Sequence, residues 1–286
     1  MRYILEPNAK INLGLNVKGV LDNGYHLLDM IMIPISLKDK MTIDVEDRVG
    51  DLKITTNIKG IPVNKENILY KIYELFYLES KIEKREMSVY LEKNIPHEAG
   101  LGGGSSDGAF FLKFLNEYHG NVFSTDKLIE LGKKIGADIP FFIINKSSRV
   151  RGIGEQIEIL ENNLDSDIII IKPTFGVSTA VAYKNVDVLG NKVDANIDNI
   201  ILGLKENNLE LVENSIENQL EQGLLVSDQN IIDFRKTLEK IVDEKFFMSG
   251  SGSTYYTFVQ PQRAKDKMEA LREHLHHCRV YLCRGL

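Results

Sequence analysis

The segment that most constrains this chain is the run of small residues at positions 99–108, which reads AGLGGGSSDG. Glycine has no Cβ, so the backbone of such a run can come close to a ligand. An alternating segment, MSVYL at 87–91, predicts a strand before the run, and apolar residues at helical spacing follow it. The start of a helix presents unpaired N–H groups and the positive end of its dipole, which together bind anions. The residues therefore predict a loop at Gly100–Ser106 that holds phosphate groups.

Three common phosphate loops do not fit this run. A Walker A loop ends in Gly-Lys-Ser or Gly-Lys-Thr, and the run contains no lysine. The dinucleotide fingerprint G-x-G-x-x-G fails because Ser105 or Asp107 stands where its last glycine is required. The protein-kinase motifs H-R-D and D-F-G are absent from the sequence. A flexible linker stays open as an alternative, but the flanking strand and helix favour a phosphate loop, with Ser105, Ser106 or Asp107 as the helix N-cap.

Composition narrows the class of protein further. The 286 residues include 35 Lys and Arg against 41 Asp and Glu, a formal net charge of −6. A nucleic-acid-binding protein needs a basic surface that displaces counterions, so this balance argues against one, although a local basic groove stays open. Apolar runs such as Ile168–Ile171 are much shorter than the roughly 18 residues of a membrane helix. The two cysteines, Cys278 and Cys283, are too few for a secreted disulfide scaffold, so we expect a cytoplasmic protein that binds neither membrane nor nucleic acid.

Hydrophobic periodicity along the chain predicts a mixture of strands and helices. In residues 10–17, KINLGLNV, apolar and polar residues alternate, which predicts a half-buried strand with Lys10 and Asn12 on its less apolar face. The next residues, Asp22-Asn23-Gly24, are typical of a tight turn and predict one there. Further strands are predicted at 41–46, 52–58, 87–91, 168–172 and 279–283, and helices at 67–78, from the glycine run to about 119, at 128–135, from about 196 to 241 and at 261–277.

The mixture lacks a regular alternation of strand, helix and strand, which favours an α+β fold over a doubly wound one. Residues 246–259 predict two strands joined by a glycine turn, SGSG. Proline disfavours helical geometry at the residue before it, so Pro140 is expected to keep Ile139 out of a helix. Polar residues follow an apolar segment near Asn145–Ser148, and we place a domain boundary there, giving domains at 1–147 and 148–286.

Six short motifs occur in a fixed order: PNAKINLGLNV with NGYH, NIP with AGLGGGSSD, GADIPFF at 136–142, GIGE at 152–155, NQLE at 218–221 and SGSG at 249–252. In this order they resemble the GHMP superfamily of small-molecule kinases, which includes galactokinase, homoserine kinase, mevalonate kinase and phosphomevalonate kinase. The resemblance spans nearly the whole chain. It is strongest to the kinases of the non-mevalonate isoprenoid pathway, whose acceptor is a cytidyl diphosphate sugar alcohol. It implies a two-lobed fold, with an N-terminal ATP-binding lobe, a C-terminal lobe and the active site in the cleft between them.

The sequence departs from the family pattern in two places. His97 and Glu98 replace residues that are usually small or apolar, and Ser253 stands where proline is common after SGSG. We expect these differences to change the stiffness of the loop, and with it the affinity for ATP, rather than the chemistry. The residues 250–252 form either a second glycine turn behind the phosphates or a simple hairpin turn.

The resemblance implies transfer of a phosphoryl group from ATP, with Mg²⁺, to the 2-hydroxyl of the sugar alcohol. Asp138 matches the carboxylate that takes the hydroxyl proton, and Lys10 matches the lysine that orients it and stabilises charge on the transferring group. Ser105 is the one residue that we name as a ligand of Mg²⁺. Asn67 and Lys93 match residues near the adenine. The residues that match the phosphate-binding loop are Pro96, Gly100, Leu101, Gly102, Gly103, Gly104, Ser105 and Ser106.

The resemblance also implies a site for the cytidine end of the acceptor. Tyr25 and His26 match the turn residues that hold the cytosine, and Tyr183 matches a residue on the other face of the ring. Each stacked base contributes about 1–3 kcal/mol, so two aromatic faces suit a pyrimidine. Ordinary packing stays open for Tyr25 and Tyr183. Asn12 and Thr179 match positions that contact the phosphate side of the sugar alcohol.

Other functions stay open at this point. A sibling kinase that acts on homoserine or mevalonate is disfavoured by Tyr25 and His26, because those acceptors carry no base to stack upon. A nucleotide sensor without catalysis is disfavoured by the intact Lys10 and Asp138. The histidines and cysteines of 274–283 fit no common zinc spacing. We expect a monomer or weak homodimer whose partner is the small-molecule substrate.

Overall fold

The computed structural model describes residues 1–241 and 245–286, which divide into two compact units. Unit 1 consists of residues 1–9, 37–97 and 102–145, and unit 2 consists of residues 10–36, 98–101 and 146–286. The chain thus passes from one unit to the other near its N-terminus and again within the glycine run. The predicted division into 1–147 and 148–286 stays a prediction; by compactness alone, residues 10–36 group with the C-terminal half.

The described residues form both strands and helices, in agreement with the predicted α+β class. The strands are β1 (Arg2–Leu5), β2 (Asn8–Val20), β3 (His26–Lys38), β4 (Lys40–Val49), β5 (Leu52–Thr56), β6 (Arg85–Glu92), β7 (Ser148–Gly152), β8 (Gln156–Ile159), β9 (Asp167–Lys172), β10 (Phe247–Met248), β11 (Tyr255–Val259) and β12 (Arg279–Arg284). The α-helices are α1 (Ile68–Ser80), α2 (Gly103–Tyr118), α3 (Thr125–Lys133), α4 (Ile139–Ile144), α5 (Thr179–Asp187), α6 (Ile197–Glu206), α7 (Leu209–Glu213), α8 (Gln219–Leu224), α9 (Gln229–Glu239) and α10 (Ala264–His274). None of these helices combines the length and the apolar character that crossing a membrane requires.

Unit 1 is built on a four-stranded sheet in the order β1-β4-β6-β5. β4 pairs antiparallel with β1 and β6, whereas β5 and β6 run parallel. Successive side chains of a strand point to opposite faces of the sheet, and in β6 one face is buried and the other exposed. Met87, Val89 and Leu91 are buried, while Ser88 and Tyr90 between them are exposed. The predicted strand at 87–91 is therefore confirmed. Helices α1 to α4 belong to the same unit and pack on one another.

Unit 2 contains two further four-stranded sheets, in the orders β2-β3-β7-β8 and β10-β11-β9-β12. β9 lies inside its sheet, antiparallel to both β11 and β12, and all of its residues are buried. A strand that is buried on both faces needs apolar side chains on both, which explains the unbroken run Ile168–Ile171. The turn between β10 and β11 confirms the strand, glycine turn and strand predicted for 246–259.

Strand β2 departs from its predicted half-buried state, because both of its faces are buried from Asn8 to Val17. The polar residues of this strand find hydrogen-bond partners inside the fold instead of water. Asn16, for example, donates to the carbonyl of Ala195 at 3.0 Å and accepts from its N–H at 2.8 Å. Alternation therefore identified the two faces of the strand, but it could not show that the polar face is covered.

Candidate active site

Helix α2 begins inside the glycine run, at Gly103. Its N-cap is Gly102, whose φ of 70° lies in the left-handed region that glycine adopts without strain. The prediction that Ser105, Ser106 or Asp107 caps this helix was wrong, since all three lie within its first two turns. A side-chain cap requires a polar residue before the helix, and the residue at that position is glycine. The N–H groups of the first turn are therefore left to water or to a ligand.

Residues 98–101, which include the beginning of the run, belong to unit 2, and Gly100 among them lies against the SGSG turn at 249–252. Gly100 has a φ of 70°, and a Cβ built on it would lie 2.0 Å from the carbonyl oxygen of Ser249. The hydroxyl of Ser249 donates to the carbonyl of Gly100 at 2.9 Å. No side chain fits between these two backbone segments, so the structure requires glycine at position 100.

Lys10 and Asn12 lie on β2 beside the same turn. Lys10 is only 4% exposed, and its Nζ donates to the carboxamide oxygen of Asn12 at 2.5 Å. A Cβ on Gly250 would lie 3.2 Å from both of these atoms, so the SGSG turn covers the pair closely. The backbone N–H of Lys10 donates to the carbonyl of Leu101 at 3.0 Å. The structure thus brings Lys10, Asn12, Gly100 and Leu101 together around the SGSG turn, as parts of unit 2.

Asp138 lies in unit 1, directly before the short helix α4. It occupies the N-cap position and is partly exposed, but its carboxylate makes no capping hydrogen bond. The expectation that Pro140 keeps Ile139 out of a helix was wrong, because α4 begins at Ile139 with the proline in its first turn. Proline is tolerated there since the N–H groups of a first turn need no intrahelical partner. The two predicted catalytic residues, Asp138 and Lys10, hence belong to different compact units.

Three ionisable side chains of unit 1, which we call the Lys93 cluster, meet at the start of α2. The ammonium of Lys93 donates to Asp107 of α2 at 2.6 Å and to Asp39, which lies between β3 and β4. The side chains of Lys93, Asp39 and Asp107 are 5%, 0% and 2% exposed. The other oxygen of Asp39 accepts the N–H groups of Asn94 at 2.6 Å and Ile95 at 2.8 Å. Oδ1 of Asp107 is buried without a hydrogen-bond partner among residues 1–241 and 245–286.

One ammonium faces two carboxylates in the Lys93 cluster, and the pKa values reflect this imbalance. Burial raises the pKa of Asp107 to about 8; the charge of Lys93 opposes the rise, and the charge of Asp39 adds to it. Burial also lowers the pKa of Lys93, but attraction to both carboxylates outweighs burial, so the pKa of Lys93 is raised. At neutral pH Lys93 is therefore charged, and Asp107 mostly holds a proton.

The two residues predicted near the adenine are both buried. Asn67 is the N-cap of α1: its Oδ1 accepts the N–H of Leu69 at 2.8 Å, and its Nδ2 donates to the carbonyl of Pro62 at 2.5 Å. Lys93 is held by its two carboxylates, and Pro96 is buried as well. The contacts of Asn67 and Lys93 are thus internal ones, and their role in binding adenine stays a prediction.

The residues predicted to bind the cytidine all lie in unit 2. Tyr25 follows the turn at 22–24 and is 56% exposed. His26 stacks directly on Tyr183 of α5, with ring centroids 4.4 Å apart and 28° between the ring planes. In this conformation a base can enter between the two rings only after they separate. The stacking of cytosine on these rings stays a prediction.

Asp187 was missed by the sequence analysis, although it contacts a predicted site residue. Its carboxylate oxygen lies 2.8 Å from Nε2 of His26. This hydrogen bond ties the imidazole of His26 to helix α5. The four-residue spacing from Tyr183 to Asp187 would have pointed to it, had the helix α5 been predicted. Thr179 begins the same helix, and its hydroxyl is 2.8 Å from the hydroxyl of Ser251 in the SGSG turn.

The departures from the family pattern have different surroundings. His97 and Glu98 are exposed, and Glu98 has a φ of 49°. Ser253 is buried, and its hydroxyl donates to the carbonyl of Phe175 at 2.5 Å. A proline at position 253 would lack this donor, so serine ties the end of the SGSG turn to the segment after β9.

Comparison with known proteins gives these features a family context. The family model described as GHMP kinases N terminal domain matches residues 67–146. A protein of Fusobacterium nucleatum named 4-diphosphocytidyl-2-C-methyl-D-erythritol kinase is 48% identical over 287 residues, which cover 100% of this chain and 98% of that protein. A protein of the same name from Clostridium tetani is 37% identical over 254 residues, covering 89% of this chain and 90% of that protein.

Solved structures share the fold. A crystal structure of 4-(cytidine 5'-diphospho)-2C-methyl-D-erythritol kinase aligns with a TM-score of 0.79 at 29% identity, covering 99% of this chain and 100% of that one. A homoserine kinase from Cytophaga hutchinsonii aligns with a TM-score of 0.76 at 16% identity, covering 100% of this chain and 97% of that one. At this lower identity the likeness shows the fold alone. The matches confirm the GHMP kinase fold that the sequence motifs implied.

Proposed function

Because the chain belongs to the family of 4-diphosphocytidyl-2-C-methyl-D-erythritol kinases within the GHMP kinases, we propose that it phosphorylates the 2-hydroxyl of that acceptor. It is an ATP-dependent small-molecule kinase of isoprenoid precursor synthesis. The observation that carries the proposal is the 48% identity over the full length of a relative with this name.

Asp138 is the proposed general base. The acceptor is a tertiary alcohol, whose proton is held too tightly to leave without help at neutral pH. A carboxylate at hydrogen-bond distance takes this proton while the oxygen forms its bond to the γ-phosphorus and the bond to the departing ADP breaks. The side chain of Asp138 suits this role because it is partly exposed and is not used to cap α4.

Lys10 is proposed to stabilise the charge of the transferring phosphoryl group and to orient the carboxylate of the base. Its side chain is buried, and the hydrogen bond of 2.5 Å to Asn12 fixes the direction of the ammonium. The backbone of Gly250 lies close to this ammonium and restricts its movement further. A cation that is fixed before the reaction needs no reorganisation when charge develops, which is how such groups lower a barrier.

The N-terminal turn of α2 is proposed to bind the phosphates of ATP, through first-turn N–H groups and the positive end of the helix dipole. Mg²⁺ is proposed to accompany ATP. The donor set fits this ion: Ser105 offers a partly exposed hydroxyl oxygen, and Mg²⁺ often binds through only one or two protein oxygens, with phosphates and water as its other ligands. Within the ranges 1–241 and 245–286, no group of three or more His, Cys, Asp or Glu side chains could hold a metal. Bound Mg²⁺ neutralises phosphate charge.

The acceptor is proposed to bind in unit 2. Tyr25, His26 and Tyr183 would hold its cytosine, and Asn12 and Thr179 would contact the phosphate side of its sugar alcohol. A shared role for Asn12 and Thr179 is supported because both side chains lie beside the SGSG turn. The carboxamide of Asn12 lies next to Gly250, and the hydroxyl of Thr179 is hydrogen-bonded to that of Ser251. Cytosine binding between His26 and Tyr183 would require the stacked rings to open.

We further propose a cytoplasmic enzyme, a monomer or weak homodimer, that binds neither nucleic acid nor membrane. The net charge of −6 supports the exclusion of nucleic acid as a partner. Light scattering coupled to size exclusion, at several protein concentrations, measures the oligomeric state. A stable trimer or larger assembly would contradict this part of the proposal.

The reaction is tested by measuring ADP release with ATP, Mg²⁺ and one of three acceptors: the cytidyl methylerythritol diphosphate, homoserine or mevalonate. We expect turnover with the cytidyl compound alone. Turnover with homoserine or mevalonate would show that the protein is a kinase but would reject the proposed cytidine site. If ATP binds but none of the three acceptors reacts, the protein is a nucleotide sensor rather than a kinase.

The role of Asp138 is tested by the variant Asp138→Asn, which keeps the size of the side chain but cannot accept the proton as a carboxylate does. We expect kcat to fall by about 10²–10⁴-fold, the usual contribution of a general base, with unchanged binding of ATP. Steady-state kinetics and calorimetric ATP titration measure the two effects. Near-normal turnover in this variant would reject Asp138 as the base.

A further inference from the structure

The Lys93 cluster joins three segments of unit 1 that lie far apart in the sequence. Asp39 lies between β3 and β4, Lys93 follows β6, and Asp107 lies in the second turn of α2. Taking charged groups out of water costs several kcal/mol per ion, and replacing buried ion pairs by apolar residues is often neutral or stabilising. Stability alone therefore explains the cluster poorly, and its geometry offers a better reason for it.

Asp39 is the fixed point of the cluster. One of its oxygens accepts two consecutive backbone N–H groups, those of Asn94 and Ile95, so its carboxylate is tied to the segment that follows β6. Its other oxygen holds the ammonium of Lys93. Lys93 extends this connection to Asp107 at 2.6 Å. The position of α2 is thereby tied, through the two hydrogen bonds of the Lys93 ammonium, to the end of a strand.

The first residue of α2 is packed against the same segment. A Cβ built on Gly103 would lie 2.9 Å from Cγ2 of Ile95 and 3.3 Å from Nζ of Lys93. The N-terminal turn therefore has no room to move towards the end of β6. The bond from Lys93 to Asp107, a turn further along the helix, opposes movement away from it. Packing on one side and the hydrogen bond from Lys93 on the other define where the first turn lies.

We propose that Lys93, Asp39 and Asp107 are positioning residues, which place the N-terminal turn of α2 so that its N–H groups meet the phosphates of ATP. In this arrangement Lys93 acts through Asp107, and it does not contact the adenine. The inference rests on the proposed function, because it takes this turn as the phosphate-binding element. Hydrogen bonds from a helix N-terminus depend on position, and a displacement of about 1 Å can cost about a hundredfold in activity.

A matched pair of substitutions at Asp107 tests the proposal. Asp107→Leu removes the acceptor of Lys93 at nearly constant size, whereas Asp107→Asn keeps an oxygen that can accept. We expect Asp107→Leu to raise the KM for ATP by about tenfold to a hundredfold, and Asp107→Asn to restore most of the affinity. The KM for the cytidyl acceptor stays unchanged in both variants. The exposed Glu117 of the same helix supplies the control, and Glu117→Gln is expected to leave both KM values unchanged.

A second measurement separates positioning from contact with the base. Inorganic tripolyphosphate carries the phosphates without adenine, and GTP carries a different base. If the cluster positions the phosphate turn, Asp107→Leu weakens competitive inhibition by tripolyphosphate by the same factor as it weakens the binding of ATP. The preference for ATP over GTP is then unchanged. If Lys93 contacts adenine, Lys93 variants change the preference for ATP over GTP while inhibition by tripolyphosphate is unchanged, and the proposal is rejected.

Folding of the variant is checked by circular dichroism and urea unfolding. Asp107→Leu leaves one ammonium and one carboxylate, Lys93 and Asp39, which balance in charge, so we expect it to fold. Gly103→Ala gives a second disturbance of the same turn, because its Cβ meets Cγ2 of Ile95 and approaches Nζ of Lys93 while both carboxyl groups are kept. It is expected to raise the KM for ATP in the same way. Unchanged KM for ATP in both folded variants rejects the positioning role, whereas a wild-type enzyme that phosphorylates none of the acceptors rejects the proposed function instead.

Discussion

Two glycine turns of this protein, one in each compact unit, are supported by different chemistry. The first turn of α2 rests on the Lys93 cluster, which is ionic. The SGSG turn at 249–252 rests on neutral amides: Nδ2 of Asn218 donates to the carbonyls of Met248 at 2.9 Å and Gly250 at 2.8 Å. Oδ1 of the same Asn218 caps helix α8. Both turns lie beside residues that are proposed to bind a ligand, but of the two supports it is the Lys93 cluster that depends on charge.

The difference shows what each support can do. The carboxamide of Asn218 satisfies its donors and its acceptor within the fold, and it does not titrate. At the start of α2, Oδ1 of Asp107 in the Lys93 cluster and the hydroxyl of the neighbouring Ser106 are buried without hydrogen-bond partners among the residues that the structure describes. Buried polar groups without partners cost free energy. A neutral network thus gives a rigid turn at little cost, whereas the ionic one gives a turn whose support changes with protonation.

Among the substitutions that test packing, the largest expected effect is at the close approach beside the SGSG turn. Gly100→Ala places a Cβ 2.0 Å from the carbonyl oxygen of Ser249, at a φ of 70° that alanine disfavours. We expect the free energy of unfolding to fall by about 3 kcal/mol or more, from backbone strain and overpacking together. Urea unfolding measures this change, and kcat/KM falls with it because the backbone around Lys10 shifts.

Gly104→Ala is the matched control in the other turn. Gly104 lies in α2. Apart from its chain neighbours and the backbone of its own helix, no heavy atom in the part of the chain that the structure describes lies within 4 Å of a Cβ built on it, so alanine meets open space there. Alanine also loses less backbone entropy than glycine on forming a helix, by about 0.5–1 kcal/mol. We expect this variant to be as stable as the wild type or slightly more stable. Equal losses of stability at positions 100 and 104 would show that the two turns do not differ in packing.

Much of the fold was predictable because local pattern and burial agree. Strands such as β6 and β9 and helix α1 carry a clear period or a continuous apolar run, and the structure has them close to the predicted positions. Strand β3 was missed because it is 13 residues long, is mostly apolar and contains Pro34, so it shows neither alternation nor a normal length. Helix α5 was missed because few of its residues are buried, which leaves a weak helical period.

The candidate site was predictable only where residues share a short motif. The glycine run, Lys10 and Asp138 could be named from sequence, through motifs and family resemblance. The Lys93 cluster could not, because Asp39 lies 54 residues from Lys93 and no local pattern relates them. Burial of a charged side chain is decided by pairing in three dimensions, and the sequence shows only that the charges exist.

The next effect in size tests the neutral support of the SGSG turn. Asn218→Ala removes two hydrogen bonds to carbonyls and the cap of α8, and we expect a loss of about 2–4 kcal/mol in the free energy of unfolding. Asn218→Asp keeps the capping oxygen but turns the donors into an acceptor that faces two carbonyls. If the donors support the turn, the aspartate variant is as unstable as the alanine variant. Recovery of full stability by aspartate would assign the whole effect to the cap.

The prediction that sharpens the comparison most is the pH dependence of stability. Burial raises the pKa of Asp107 to about 8, whereas an ordinary aspartate has a pKa of 3.8. Between these values the folded protein binds a proton at Asp107 that the unfolded chain has released, so stability falls as the pH rises from about 4 to about 8. Asn at this position cannot titrate. We therefore expect the stability of the wild type, relative to Asp107→Asn, to decline across this range and to level off above it.

Urea unfolding of both proteins at pH 5, 7 and 9 measures this decline. The comparison of the two turns adds an internal control, because the carboxamide of Asn218 does not titrate. The loss of stability in Asn218→Ala should therefore be the same at all three pH values, while the difference between the wild type and Asp107→Asn changes. Parallel pH profiles for the wild type and Asp107→Asn would mean that Asp107 does not take up a proton on folding. The ionic support would then be as insensitive to pH as the neutral one, and the physical distinction between the two turns would be lost.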